Sequence, residues 1–174
     1  MVAPAAIESL LDAAFGTDRH GRTAYRLRSG VDWLPALSFA ALADEQLVGS
    51  VQCWPVRLTG PAGDHTPLTL LGPVAVDPAR QQGGIGQRLT RAALAAIQSR
   101  AAPPAMLIGD PGYYGRFGFI AAPTAGWDLP GPFERHRLLV LPTPGVALPA
   151  LGYVGPDPTS HGEQADFASE VRMA

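Results

Sequence analysis

Apolar residues at Ile7, Leu10, Leu11 and then Ala14 or Phe15 recur at spacings of three and four, the period that lays one apolar stripe along a helix. The pattern predicts a helix over residues 3–15, stopped at Gly16. Residues 17–30 lose the period, carry much charge and glycine, and read as a loop or broken helix anchored by Tyr25 and Leu27. Two apolar runs, 37–42 and 47–58, flank the polar residues 44–46 and predict a hairpin. A second turn region follows at 60–67. Residues 68–76 are then apolar with little alternation, as expected of a central strand covered on both faces.

Helical spacing returns over residues 84–100, with Ile85, Leu89, Ala92, Ala93, Ala96 and Ile97 on the buried side, and Pro103-Pro104 ends it. Short strands are predicted at 105–108 and 138–141, and a weaker one at 148–154. The tail, residues 155–174, is rich in Gly, Pro, Ser and acidic residues with few apolar anchors, and is expected to be irregular. An antiparallel hairpin followed by one long crossover helix predicts one α+β domain over residues 1–154, built on a mixed α/β sheet. A doubly wound Rossmann sheet would need more crossovers.

Composition narrows the function. Of 174 residues, 47% are apolar and 16% charged, enough to bury a core. A formal charge of -2 argues against non-specific nucleic-acid binding, whose affinity comes largely from neutralised phosphates. A small anionic ligand remains compatible with it. The positive charge is carried by arginine, and no function is read from that. Cys53 stands alone, so no intrachain disulfide or thiolate cluster can form; without a local basic partner it reads as buried and inert. His20, His65, His136 and His161 share no metal-ligand spacing, and no metal is expected. With no basic-then-apolar leader and no apolar run of about eighteen residues, the expectation is a soluble cytoplasmic protein.

The chemistry concentrates in Gln81-Gln82-Gly83-Gly84-Ile85-Gly86, between the strand ending at Val76 and the long helix. Its glycines leave backbone amides unobstructed. The first amides of a helix lack intrahelical acceptors, and the helix dipole favours an anion at the same place. Arg80 and Arg88 can add charge-assisted contacts. The bland alternative is a tight turn whose glycines serve packing alone. A P-loop would need Lys-Ser or Lys-Thr, and a dinucleotide fingerprint a different glycine spacing; neither is present.

Gln81-x-x-Gly84-x-Gly86 resembles the coenzyme motif of the GNAT superfamily of acetyl-CoA-dependent N-acetyltransferases. The preceding residues 71–78 look like that family's fourth strand, and Tyr114 followed four residues later by Gly118-Phe119 resembles its second signature. Residues 109–119 as a whole are similar to the YhbS-like subgroup of predicted acetyltransferases. The resemblance covers residues 3–141. It implies a central, mostly antiparallel mixed sheet flanked by helices. The family's sheet opens with a strand before the first helix, whereas this chain starts almost at its helix. That first strand is therefore expected to be absent, or the start to lie elsewhere.

By that resemblance the amides of Gln81, Gln82, Gly83, Gly84, Ile85, Gly86 and Gln87 hold the diphosphate of acetyl-CoA, and the backbone of Val74, Ala75 and Val76 pairs with the pantetheine arm. The N–H near Val74 would stabilise the tetrahedral oxyanion. Tyr114 would protonate the departing thiolate, with Tyr113 as a second candidate; core packing is the plain alternative for either ring. Asp110 is the candidate base, or else a turn or helix cap, and Asp77 has the same ambiguity. Arg116 faces solvent or a coenzyme phosphate. Trp33, Phe39 and Trp54 line an acceptor pocket or fill the core.

The implied reaction is direct transfer of an acetyl group from acetyl-CoA to the primary amine of a small molecule in a ternary complex. A protein N-terminus or lysine is the alternative acceptor, and an acyl-CoA-binding regulatory module without turnover the non-enzymatic alternative. Neither nucleic acid nor membrane is expected as a partner, and a homodimer is left open.

Overall fold

Helix α1 (Pro4–Phe15) takes a proline in its first turn, where no amide is needed. It buries Ile7, Leu10 and Leu11 against Ala75 of the sheet. These features come from a computed structural model that describes residues 2–160 and 169–172. The charged segment after α1 is ordered rather than open: a 3-10 turn (Thr17–Gly21) leads into the single-turn helix α2 (Thr23–Arg26). Arg19 is drawn inside, 2% exposed. Its guanidinium bonds Glu8 at 2.5 Å, Asp12 at 2.8 Å and the Tyr25 hydroxyl, so the turn is clamped onto α1.

Strands β1 (Phe39–Ala43) and β2 (Gln46–Thr59) form the expected hairpin. Asp44 and Glu45 both take positive φ, 48° and 61°, giving a two-residue turn whose twist matches the strands it joins. Strand β3 (His65–Val76) pairs antiparallel with β2 from Thr59↔His65 to Gly49↔Val76. It begins earlier than the sequence pattern predicted, because Pro67 is harmless where it stands. Thr69 sends its N–H to Pro104; by alternation Pro67 faces that same side, where the next strand pairs only from Thr69 onward.

Helix α3 (Ile85–Ser99) crosses over to β4 (Ala105–Ile108), which runs parallel to β3. The single-turn helix α4 (Pro111–Tyr114), β5 (Gly126–Asp128), β6 (Leu138–Val140), β7 (Leu151–Pro156) and β8 (Ser169–Arg172) complete the described chain. The sheet order is β5-β7-β2-β3-β4-β6, with β1 on the first half of β2 and β8 beside β1. Most pairs are antiparallel; β3–β4, β5–β7 and β1–β8 are parallel.

One expectation needs correction. Residues 155–174 are not uniformly irregular: β7 runs to Pro156 and pairs with Val56–Thr59 of β2, while residues 169–172 add a strand to β1. Residues 161–168 and 173–174 of that tail lie outside the described residues. The outer edge of β1 is taken by β8. An uncovered strand edge presents unpaired amides and carbonyls, and β8 satisfies those of Phe39 to Leu42. β5 had no clear period because it is only three residues long; its anchor is Trp127, fully buried, with Nε1 donating to Pro149 O at 2.8 Å.

Both faces of the sheet are covered. On one, α3 packs Leu89, Ala93 and Ile97 against Val51, Leu107 and Leu139. On the other, Leu27, Leu58, Met106, Trp127 and Leu138 form a second core cluster beside that of α1. Among the described residues no helix is long and apolar enough to cross a membrane. Leu89 has no exposed surface, so Leu89→Ala is expected to lower unfolding free energy by about 2–5 kcal/mol in urea titration. A loss under about 1 kcal/mol would show that α3 does not pack as described.

Candidate active site

The site begins with a misfit between two strands. Cys53 faces Leu71 and Val51 faces Val74, so β3 carries one more residue than β2 over this stretch. This bulge, at Gly72-Pro73, has two effects. A bulged strand bends, and β3 pairs with β4 only at Thr69↔Ala105 and Leu70↔Met106 before the two part. The extra residue also shifts the alternation. Thr69 directs its N–H toward β4, yet Asp77 directs its N–H to Val48 of β2. Ala75 therefore shares the β2-facing side with Asp77, and the N–H and C=O groups of Val74 and Val76 point into the gap.

At the end of β3, Asp77 turns the chain. Its carboxylate accepts from Ala79 N at 3.0 Å and its carbonyl from Arg80 N at 2.8 Å, which answers the ambiguity over its role: Asp77 caps the 3-10 turn Pro78–Gly83. Gly84 then takes φ 68°, a left-handed conformation that a side chain would strain, and starts α3. Helix geometry leaves the amides of this first turn without intrahelical acceptors.

A cavity of about 360 Å³ lies between these amides and the open edge of β3. Of the residues proposed from sequence, Val74, Val76, Gln81, Gln82, Gly84, Gly86 and Gln87 line it, with Tyr113 and Tyr114. Gly83 and Ile85 do not. They border an adjoining surface cavity of about 640 Å³ that also touches Arg80, Gln81 and Gln82, and the Ile85 side chain is 5% exposed in the core. The Ala75 side chain packs against α1. Only backbone groups of these residues can serve a ligand there.

Tyr113 and Tyr114 meet edge to face, ring centroids 4.9 Å apart, and share the 360 Å³ cavity. Tyr113 stands over Gly86, its hydroxyl 3.4 Å from where a β-carbon would sit. Tyr114 lines both the 360 Å³ cavity and a second one of about 560 Å³ on the far side of the gap. Its ring lies on Gly109: a β-carbon there would fall 2.5 Å from Tyr114 Cε2. Phe119 supports it from 6.0 Å. Burial, with some help from Tyr113, pushes the Tyr114 phenol up to about 12, against an opposing pull from Arg137.

Asp110 is exposed and lines neither cavity. Its two carboxylate oxygens accept from Gly112 N at 3.2 Å and Tyr113 N at 3.0 Å, and its carbonyl from Tyr114 N at 2.9 Å. It is the cap of α4, and it holds the two tyrosines in place. Arg116 likewise turns back, Nε to Tyr113 O at 2.9 Å, over the Tyr113 ring.

The 560 Å³ cavity is walled by β3 at Leu70 to Val74, by the segment after α1, and by residues 132–137. Thr23 Oγ1 donating to Pro132 O at 2.6 Å and Arg26 Nη1 to Pro130 O at 2.8 Å tie the last two walls together. Phe15, Val74 and Tyr114 form the partition shared with the smaller cavity. Among the described residues, four arginines, Arg19, Arg22, Arg28 and Arg137, line the larger one, against a single carboxylate, Glu134. Burial pulls the Arg28 guanidinium below its ordinary value, opposed by Tyr25, whose ring it covers at 3.7 Å.

These arginines, with Phe15 and Glu134, were not found from sequence. The only signal was the charge density of residues 17–30, which does not reveal which charges turn inward. Trp33, Phe39 and Trp54 do not line the cavity; Trp54 instead lies under Arg28, ring centroid 5.3 Å away, and Trp33 and Phe39 pack against core clusters. Cys53 is fully buried and its thiol is pushed up by burial, as expected for an inert residue. Among the described residues no group of three or more His, Cys, Asp or Glu could hold a metal ion.

Comparison with known proteins agrees with this layout. A GNAT family acetyltransferase from Brucella melitensis, solved in complex with acetyl-CoA, shares 31% identity with a TM-score of 0.63, over 90% of this chain and 92% of that one. YhbS from Escherichia coli, solved in complex with CoA, has a TM-score of 0.67 at 24% identity, over 88% of this chain and 83% of its own, a likeness of fold. In sequence, the chain is 31% identical over 140 residues to the uncharacterized N-acetyltransferase YhbS of Escherichia coli K12, covering 76% of this chain and 80% of that protein. Residues 5–122 match the Acetyltransferase (GNAT) domain, more than half of the chain, and the chain therefore belongs to the GNAT family of acetyltransferases.

Proposed function

We propose that the protein transfers an acetyl group from acetyl-CoA to the primary amine of a small molecule, by direct attack in a ternary complex. The observation that carries this reading is the pair of cavities meeting at one partition, with Tyr114 and Val74 belonging to both. The smaller takes the donor. Its diphosphate sits on the amides that open α3, near Gln82 to Gln87, with Arg80 in reach of the adjoining surface. The pantetheine arm carries amides of its own and adds to the open edge of β3 as a strand would, using the backbone of Val74 and Val76.

This arm delivers the thioester to the partition. There the Val74 N–H faces the gap and can receive the carbonyl oxygen as it becomes an oxyanion. The amine attacks from the larger cavity, the carbon–sulfur bond breaks, and Tyr114 donates its proton to the thiolate. A raised phenol keeps its proton up to about pH 12, so the donor form persists while the amine becomes neutral. Asp110 acts on the reaction as a positioning residue, by capping α4 under Tyr114. The attacking amine must be neutral. The arginine-lined cavity favours that form, because like charges lower the pKa of a bound ammonium; the proton the amine sheds passes to water at the exposed mouth, and water reprotonates Tyr114.

A cavity of about 560 Å³ suits a small acceptor, which favours this reading over a protein lysine or N-terminus.

Tyr114→Phe is expected to lower kcat about 100-fold or more while CoA affinity stays within about twofold, measured by steady-state kinetics and calorimetry. An unchanged kcat would remove Tyr114 from the chemistry. Gly109→Ala must displace the Tyr114 ring, and a kcat loss on the order of tenfold at unaltered CoA affinity is expected. The pH profile gives a further check. Because the Tyr114 phenol is raised from 10 to about 12, its donor form persists above pH 10, so kcat should rise as the amine neutralises and show no falling limb near 10. A decline centred at 10 would mean that an ordinary phenol, or another group, donates the proton.

A further inference from the structure

The larger cavity is strongly cationic for a protein of net charge -2, and its arginines differ in how they are used. Arg19 is spent on Glu8, Asp12 and Tyr25 and offers little to a ligand. Arg28 is partly buried, its plane against Tyr25 at 3.7 Å and Trp54 at 5.3 Å, with Nε given to Ala24 O at 3.2 Å. Arg137 is also partly buried. Among the described residues neither forms an ion pair with a carboxylate. Arg22, at the exposed mouth, bonds a carbonyl, Phe15 O at 3.0 Å. Glu134 does not balance them, because its side chain is 67% exposed and turned to His136 at 3.6 Å.

Guanidinium groups without a carboxylate partner in a partly buried cavity call for an anion, and stacking on Tyr25 and Trp54 fixes the plane of Arg28 for bidentate contact. The coenzyme does not supply that anion, since its diphosphate belongs at the start of α3, on the other side of the Phe15, Val74 and Tyr114 partition. A plain cationic amine would be repelled.

Resting on the acetyltransferase reading above, we propose that the acceptor is a primary amine that also carries an acid group, held by Arg28 and Arg137 while the amine faces the thioester at Val74 and Tyr114. The acid group does two things. It pairs with Arg28 and Arg137, and it anchors one end of the acceptor so that the other reaches the partition.

The test uses the full-length protein saturated with CoA and calorimetric titration of matched amines: α- and ω-amino acids beside their amides, aminoalkyl phosphates beside the corresponding amino alcohols, and a simple diamine. Acid-bearing members are expected to bind at least about tenfold tighter than their neutral partners, the carboxylate and phosphate arms showing which acid is read. Arg28→Gln and Arg137→Gln should each remove most of that preference, with CoA affinity as the control for folding. Should a variant fail to bind CoA, the wild-type panel decides alone. Equal or tighter binding of the amides or the diamine overturns the inference, as does the absence of binding by every acid member. An acid-bearing amine that binds through these arginines but is never acetylated sustains the inference and sinks the acetyltransferase reading.

Discussion

One extra residue in β3 organises the site. Had β3 matched β2 residue for residue, the same odd-numbered positions would face β4 along the whole strand. The bulge at Gly72-Pro73 ends the pairing after Leu70↔Met106 and brings Val74 and Val76 to the open side. A sheet interior normally leaves no backbone group unpaired, because an orphaned amide or carbonyl out of water costs on the order of 1–3 kcal/mol. Here the open edge lines a cavity, the one proposed above to take the donor. It is held open by both neighbours: β2 grips β3 on the far side as far as Val76, and β6 holds β4 from Met106 to Ile108.

The two halves of the proposed site, one for the donor and one for the acceptor, are built differently. The donor half rests on the most regular parts of the fold, a central strand and the start of a long helix, linked by the Asp77 cap and the left-handed Gly84. The acceptor half is assembled from irregular chain that is distant in sequence, the α1 to α2 connection and residues 130–137, joined by Thr23 and Arg26 to two carbonyls. A scaffold of this kind keeps coenzyme geometry fixed while the acceptor wall can vary, as is common where specificity sits on loops carried by a rigid frame.

The same division explains what the sequence could reveal. Ile7, Leu10 and Leu11, and Ile85, Leu89, Ala93 and Ile97, each occupy one face of a helix, so periodicity located α1 and α3, while β3 was located by an unbroken apolar run buried on both faces. The glycine turn was legible because its chemistry is local: amides, glycines and a helix start within six residues. Tyr114 was legible only through its spacing to Gly118-Phe119. Asp110 was ambiguous because a cap and a base use the same residue type, and only its bonds to Gly112 and Tyr113 reveal the cap. Arg28 and Arg137 lie far apart in the chain, and no local pattern brings them into one cavity. β8 was missed because a four-residue edge strand without alternation resembles a polar tail until its partner β1 is known.

The central claim is that the unpaired edge of β3 receives the donor arm and activates its thioester. The most direct measurement is a crystal structure with a non-hydrolysable acetyl-CoA analogue. The account predicts the thioester-equivalent carbonyl oxygen about 2.7–3.2 Å from Val74 N, the arm's amides on Val74 and Val76, and the Tyr114 hydroxyl beside the position of sulfur. An arm that runs elsewhere, leaving the Val74 and Val76 backbone uncontacted with the analogue fully bound, would contradict it.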